Sequence, residues 1–287
     1  MDIQARLAKP ISTTVLCAAM LFLHAIPYPD IDPIFFRVGP LAFRWYGLMY
    51  LLGLTAAYFL IRSRAAAQHV ELSRDQLYDL IVYAAFGVFL GGRLGYTLFY
   101  NFKFYAENPL KIFAVWEGGM SFHGGLLGTI LAIVWFCRRR RLPVFPIGDL
   151  AALSAPIGLG LGRLGNFING ELYGRATDVD WCMVFPTGGG ECRHPSQLYE
   201  AGLEGLLLFA VLWGLSVRQT PPGTTFWSFI TGYGLCRFVV EFFREPDYHL
   251  GYILGPFSMG QLLSAPMILL GAFMVAWGYK KQAANRR

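Results

Sequence analysis

Charge is what this sequence has least of. Only 15% of its 287 residues are Asp, Glu, Lys or Arg, where a soluble domain carries about 25%. That shortage excludes an ordinary water-soluble domain, and no polar segment is long enough to fold by itself. Metal-type cysteine spacing is missing too: there are five cysteines, none of them set out as ligands. Nucleotide, flavin and Asp-rich metal motifs are likewise missing, so no cofactor and no metal is expected. Chain-wide basicity is modest, a net +6. It reads as a topology signal, and nucleic acid is not an expected partner.

What fills the space is apolar. Hydrophobic residues make up 55% of the chain, and mean hydropathy is +0.45. They fall in seven long runs, at roughly 45–61, 79–100, 120–137, 147–164, 196–215, 224–243 and 260–279. A helix needs about 20 such residues to cross the hydrocarbon core. The loops between them alternate in charge. One set holds Arg62, Arg64, Arg74, Arg138 to Arg141, Arg218, Lys280, Lys281, Arg286 and Arg287, twelve in all. The other set holds seven: Arg37, Arg44, Lys103, Lys111, Arg175, Arg193 and Arg244. The richer set belongs in the cytoplasm. The predicted fold is therefore an all-α polytopic membrane protein of about seven transmembrane helices, with the N-terminus outside and the C-terminus cytoplasmic.

One transmembrane domain is expected over 28–287, including an outer loop at 165–195, preceded by an N-terminal extension over 1–27. In that extension Arg6 and Lys9 precede ISTTVLCAAMLFLHAI, which reads either as a signal-peptide core or as a short extra span. No A-x-A-like site follows, only the turn-rich PYPDIDP. Met20 opens an alternative, shorter chain, so residues 1–19 are either translated or a misassigned start. Cys17, Cys137 and Cys236 lie in or beside apolar runs and read as packing residues. Cys182 and Cys192 share the outer loop, where oxidation is allowed, and a disulfide or two free thiols both fit. The loop contains TGGGE and little that would form a core. NFKFYAENPLKIFAVWEGG suits a short interfacial helix, and Trp45, Tyr46, Trp116, Trp181 and Trp227 suit an aromatic belt.

Polar residues inside the runs are the costly ones. Arg93, Arg163 and Arg237 each lie inside a marked span, where insertion scales charge roughly 2.5–3.5 kcal/mol per arginine. All three sit in helices running from inside to outside, about 20–24 Å above the inner edge at 1.5 Å per residue. Three cations at one depth repel one another unless an anion joins them. A phosphate suits, because guanidinium groups grip its oxygens in pairs. The structural alternative is neutralisation by carboxylates. Tyr233, Arg237 and Glu241 share a helix face at i, i+4, i+8, and Glu200 and Glu204 are the candidates for Arg93. His123, in SFHGGLLG, reaches the same layer and serves as base or donor, with glycines after it for close approach to a helix or ligand. GRLGNFINGELYGR (162–175) reads as the turn by which the fourth span leaves the membrane, with Arg163, Asn166, Asn169 and Glu171 directed into the polar layer. Irregular backbone at that depth must face protein or a watery cavity.

Those segments carry a resemblance. Residues 162–174, with RWYGLMY (44–50), GGRLGY (91–96), SFHGGLLG (121–128), RHPSQLYE (193–200) and RFVVEFFREPD (237–247), resemble the prolipoprotein diacylglyceryl transferases of bacteria in content and order. The resemblance covers about residues 28–279 and departs from the family before Tyr28. It implies a multi-pass enzyme of the bacterial inner (cytoplasmic) membrane that moves the sn-1,2-diacylglyceryl group of phosphatidylglycerol to a cysteine thiol. The acceptor is the lipobox cysteine in the signal peptide of a prolipoprotein, and glycerol 1-phosphate leaves. It implies catalytic roles for His123, Arg163 and Arg237, and phosphatidylglycerol-binding roles for Arg163, Tyr46, Asn166, Glu171, Gly174, Tyr233 and Glu241. The rival reading is a phospholipid carrier or scramblase, which needs the arginines but no base and no peptide site. A nucleotide-using lipid transferase lacks its Asp-rich metal motif here.

Overall fold

The computed structural model describes residues 25–39, 41–114, 118–245, 252–254 and 257–285. The run at 1–24, with Cys17, Trp116 and the Arg286–Arg287 pair, lies outside the described residues. Among the described residues, each of the seven apolar runs is helical over most of its length. A hairpin of β1 (Ile34–Val38) and β2 (Leu41–Arg44) leads directly into α1 (Trp45–Ala67). Then come α2 (Arg74–Phe99), the short α3 (Phe102–Glu107) and a 3-10 turn (Pro109–Phe113). After these follow α4 (Phe122–Arg140) and α5 (Val144–Ile168). Strands β3 (Met183–Val184) and β4 (Cys192–Arg193) precede α6 (Ser196–Ser216), which widens to a π-helix over Ala201–Leu207. α7 (Thr224–Val240), β5 (Tyr252–Leu254), β6 (Phe257–Ser258) and α8 (Met259–Asn285) complete the chain.

By length and composition α2, α5, α6 and α8 can each cross a membrane. Their outer faces stay apolar and unburied: Phe86, Leu90, Leu206, Leu269 and Phe273 are all more than half exposed. Patches of that extent need a solvent other than water, so this is a membrane protein. Helix starts follow local rules. Ser73 and Gln76 form a capping box at α2, and Ser121 Oγ accepts from Gly124 N at α4. α2 and α4 touch backbone to backbone, since a Cβ on Gly91 would sit 2.3 Å from Gly124 O. Small residues four apart allow that approach. The glycines after His123 thus serve a neighbouring helix. At the end of the bundle formed by the loops 68–73 and 141–143, Ile61, Leu77, Leu80, Phe136, Cys137 and Ile147 form a dry core. Cys236 lies half-buried, its thiol donating to Leu203 O at 3.4 Å. Both cysteines are packing residues.

Two expectations need correcting. The fourth span ends later than the sequence suggested: α5 continues to Ile168, so Gly162 and Gly165 are helical. Irregular backbone begins after Asn169, with Gly170 and Leu172 at positive φ. The outer loop also has a core of its own. Phe185 is buried among Tyr28, Phe167 and Tyr173, β3 pairs with β4, and Cys182 and Cys192 are joined by a disulfide. Tyr28 donates to Phe167 O at 2.5 Å, and Ile26 N donates to Cys182 O, so the segment before β1 ties the loop to the end of α5.

Candidate active site

The site is built where α5 meets α6. A Cβ on Gly205 would lie 2.8 Å from Gly160 Cα, so the two backbones touch. That contact brings Glu200 and Glu204, one turn apart on α6 and both fully buried, against Arg163 of α5. Arg163 Nε lies 2.8 Å from Glu200 Oε2, and Nη2 lies 3.6 Å from Glu204 Oε2. From α7, Arg237 Nη1 donates to Glu200 Oε1 at 2.5 Å, and Nη2 lies 2.8 Å from Glu241 Oε2. Arg244, just beyond α7, donates to the same Glu200 Oε1 at 3.2 Å. The predicted i, i+4 pairing of Arg237 with Glu241 is present. Glu241 is further held by Ser258 Oγ at 2.9 Å. One carboxylate, Glu200, therefore stands among three arginines, and three glutamates balance them. Leaving one member of such a buried set unpaired costs about 3–5 kcal/mol.

Arg93 does not belong to this cluster, although the sequence suggested one polar layer for all three arginines. Glu200 and Glu204 face Arg163, and Arg93 has no carboxylate partner among the described residues. Its Nε donates to Ile112 O, Nη1 to Gly118 O and Gly119 O, and Nη2 to Lys111 O and Ala114 O. All five N–H groups are spent on backbone carbonyls that fold the segment after α3, and the guanidinium also sits over Tyr105. Arg163 is the opposite case. Its contacts with Glu200 Oε2 and Glu204 lie within ion-pair distance but off the N–H directions, and those oxygens accept no aligned hydrogen bond among the described residues. Among the described residues no aligned hydrogen bond to a carboxylate spends the donors of Arg163.

The other predicted residues, Gly174 excepted, lie around Arg163 and Arg237. Asn166 Nδ2 and Asn169 Nδ2 both donate to Glu171 Oε1, at 3.0 and 3.1 Å. Tyr46 packs on Gly165, where a Cβ would meet its ring at 2.9 Å, and its hydroxyl is within electrostatic reach of Arg163 and Glu171. Tyr233 is buried beside Glu204, Arg237 and Arg163, and its ring stacks on Phe122 with centroids 4.9 Å apart. That stack brings the start of α4 to α7 and puts His123, half-buried, within electrostatic reach of Arg237. Gly174 is closed in by backbone: a Cβ there would meet Phe243 O at 2.4 Å and His194 O at 2.9 Å. Gly174 thus joins the outer loop to the chain beyond α7 rather than lining the arginine cluster.

The HPSQLYE segment does more than start a helix. Ser196 Oγ donates to Leu172 O and Gln197 Nε2 to Glu171 O, so the first turn of α6 holds the loop that carries Glu171. Trp181 Nε1 donates to the Tyr199 hydroxyl at 2.7 Å. The hydroxyl's own proton is left for His194 Nδ1 at 3.1 Å. Burial holds His194 below its ordinary pKa, so it is neutral and accepts that proton. Sequence reasoning missed the shared role of Glu200 and the place of Arg244. A signal for the second was present, since Arg237, Glu241 and Arg244 are spaced i, i+4, i+7. A concavity of about 870 Å³ between 68–73 and 141–143 lies at the far end of the bundle from all of these groups.

Chemically, the cluster offers two guanidinium groups from different helices beside an imidazole, in a dry setting. That arrangement suits an anionic headgroup, whose developing charge paired cations stabilise most where water is excluded. Comparison with known proteins agrees. The family profile described as prolipoprotein diacylglyceryl transferase matches residues 33–277. The phosphatidylglycerol–prolipoprotein diacylglyceryl transferase of Geobacter sulfurreducens is 62% identical over 247 residues, covering 86% of this chain and 95% of that protein. Proteins of the same name from Oleidesulfovibrio alaskensis and Vibrio vulnificus are 54% identical over 262 residues and 52% over 256. They cover 90% and 89% of this chain, and 98% and 94% of their own lengths. This chain belongs to the prolipoprotein diacylglyceryl transferase family.

Proposed function

We propose that Arg163 and Arg237 receive the phosphate of phosphatidylglycerol and that His123 deprotonates the acceptor thiol. The protein is a transferase of lipoprotein biosynthesis. It moves the diacylglyceryl group of phosphatidylglycerol to a prolipoprotein, and the lipobox cysteine of the signal peptide is the acceptor. The thiol, with an ordinary pKa of about 8.5, loses its proton to act as nucleophile. Sulfur bonds to C3 of the glyceryl group as the C3–O bond to phosphate breaks, and the electron pair stays on the departing glycerol 1-phosphate. The thiol proton passes through His123 to that phosphate, so the enzyme ends as it began. Arg163 and Arg237 stabilise the charge that grows on the phosphate oxygen. Tyr46, Asn166, Glu171, Tyr233 and Glu241 shape and orient the headgroup site, while Gly174 fixes the loop.

The observation that carries this reading is the contrast between two arginines of the same motif. Arg93 has every donor spent on carbonyls, whereas Arg163 has ion contacts off its N–H directions and keeps its fork for a ligand. In the bilayer all seven long helices cross, with the 62–78 and 138–146 loops in the cytoplasm and 165–195 outside. That orientation suits the charge distribution and the disulfide. The membrane is the bacterial inner membrane, where lipid arrives sideways and peptide from the outer face. The test is purified protein with phosphatidylglycerol and a lipobox peptide. A thioether-linked diacylglyceryl peptide supports the transferase, and lipid translocation without adduct refutes it in favour of a carrier.

A further inference from the structure

We propose that Glu200 is the positioning residue of the transfer reaction, setting Arg163 and Arg237 side by side as one anion-receiving pair. The proposal rests on the reading of those arginines as the phosphate site. The two cations come from different helices, α5 and α7, whose packing through Leu153, Phe229 and Ile230 sets the backbones but leaves two long side chains to be aligned. Glu200 does so with its two ends: Oε2 lies 2.8 Å from Arg163 Nε, and Oε1 accepts from Arg237 Nη1 at 2.5 Å. The same Oε1 accepts from Arg244 Nη1. A fully buried carboxylate surrounded by three guanidinium groups has little freedom to move, and each arginine is restrained through it. Glu204 does not do this job, since among the described residues the one cation within 4 Å of it is Arg163, at 3.6 Å. Glu241 pairs with Arg237 from one turn further along the same chain segment and, among the described residues, bridges to no arginine of another helix.

Charge supplies the second half of the argument. Three glutamates offset three arginines, so the phosphodiester meets a balanced cluster rather than a bare triple cation. Removing one negative charge without changing size therefore has two opposite effects. An amide has one accepting end, so a glutamine can serve Arg237 or Arg163 but turns its NH₂ toward the other. The pair loses alignment, while the site gains a net positive charge. Ground-state binding of an anion tightens as the geometry for the transition state is lost.

The experiment measures kcat and KM for phosphatidylglycerol, with the lipobox peptide saturating, in Glu200→Gln, Glu200→Asp and Arg163→Ala. For Glu200→Gln the expectation is a kcat about 10²-fold lower, the cost of about 1 Å of misplacement, with KM unchanged or lower. A merely structural role would reduce the yield of folded protein without lowering KM or the kcat of the folded fraction. Wild-type kcat, or a raised KM, in folded Glu200→Gln overturns the proposal. If that variant does not fold, Glu200→Asp decides. It keeps the charge but withdraws the carboxylate by one methylene, and kcat should fall roughly ten- to hundred-fold. Wild-type kcat there also overturns the proposal. Arg163→Ala separates the two ideas: normal transfer in it defeats the phosphate-site reading itself, whatever the Glu200 variants do.

Discussion

The contact between Gly160 and Gly205 is the joint on which the site depends, and one methyl group tests it. In Gly205→Ala the new Cβ would lie 2.8 Å from Gly160 Cα, 3.4 Å from Gly160 N and 3.5 Å from Pro156 O. Carbon atoms settle at about 3.5–4.0 Å, and every atom met is backbone or lies next to it, so none can turn aside. The helices must separate by about 1 Å. Overpacking of this kind costs about 1–3 kcal/mol. The functional cost is larger than the stability cost, because the 2.8 Å contact of Arg163 with Glu200 lies one turn away. A misplacement of about 1 Å costs about 10²-fold in rate.

The assay pairs a thermal unfolding curve with thioether formation per folded molecule. Gly160→Ala meets Gly205 Cα at 3.2 Å and should do the same more mildly. Gly162→Ala and Gly202→Ala meet nothing within 4 Å and serve as controls on the same two helices. The order of loss should be Gly205→Ala, then Gly160→Ala, then the controls. Gly205→Ala with normal stability and normal transfer would refute the idea that this contact sets the arginine geometry.

Other predictions concern the groups around that joint. Arg163→Lys keeps a charge but loses the fork. It should lower kcat by about 10²–10³-fold while leaving unfolding nearly unchanged, whereas Arg93→Lys should destabilise first, because five hydrogen bonds to carbonyls become at most three; paired melting and rate measurements check both, and the reverse pattern contradicts the assignment. His123→Gln should be slow at neutral pH and recover as pH nears the thiol's own value of about 8.5; a pH–rate profile parallel to wild type would remove the base role. Replacing Cys182 and Cys192 by Ser frees a bridge spanning ten residues and should cost roughly 2–3 kcal/mol, seen as earlier proteolysis of the 165–195 loop, and unchanged proteolysis would show that the Phe185 core suffices.

GRLG occurs twice in this chain, and the two copies show how far letters reach. The helices were legible because lipid offers no hydrogen bonds. Any span must be a run of about 20 apolar residues with its backbone satisfied internally. The Arg237–Glu241 pair was legible as well, because i, i+4 neighbours meet on any helix. Glu200 was not, since its partners Arg163, Arg237 and Arg244 lie 37, 37 and 44 residues away along the chain, and only helix packing brings them together. The fate of Arg93 was harder still. Backbone carbonyls occur at every position and carry no side-chain signature, so a cage made from residues 111, 112, 114, 118 and 119 leaves no mark in the sequence. Depth in the membrane selected the right kind of residue at both copies, because an arginine there must be compensated. Depth says nothing of whether the compensation comes from carbonyls, which consume every donor, or from carboxylates on a facing helix, which leave donors for a ligand. That difference separates a structural arginine from one that can hold a phosphate, and it lies in the neighbouring backbone.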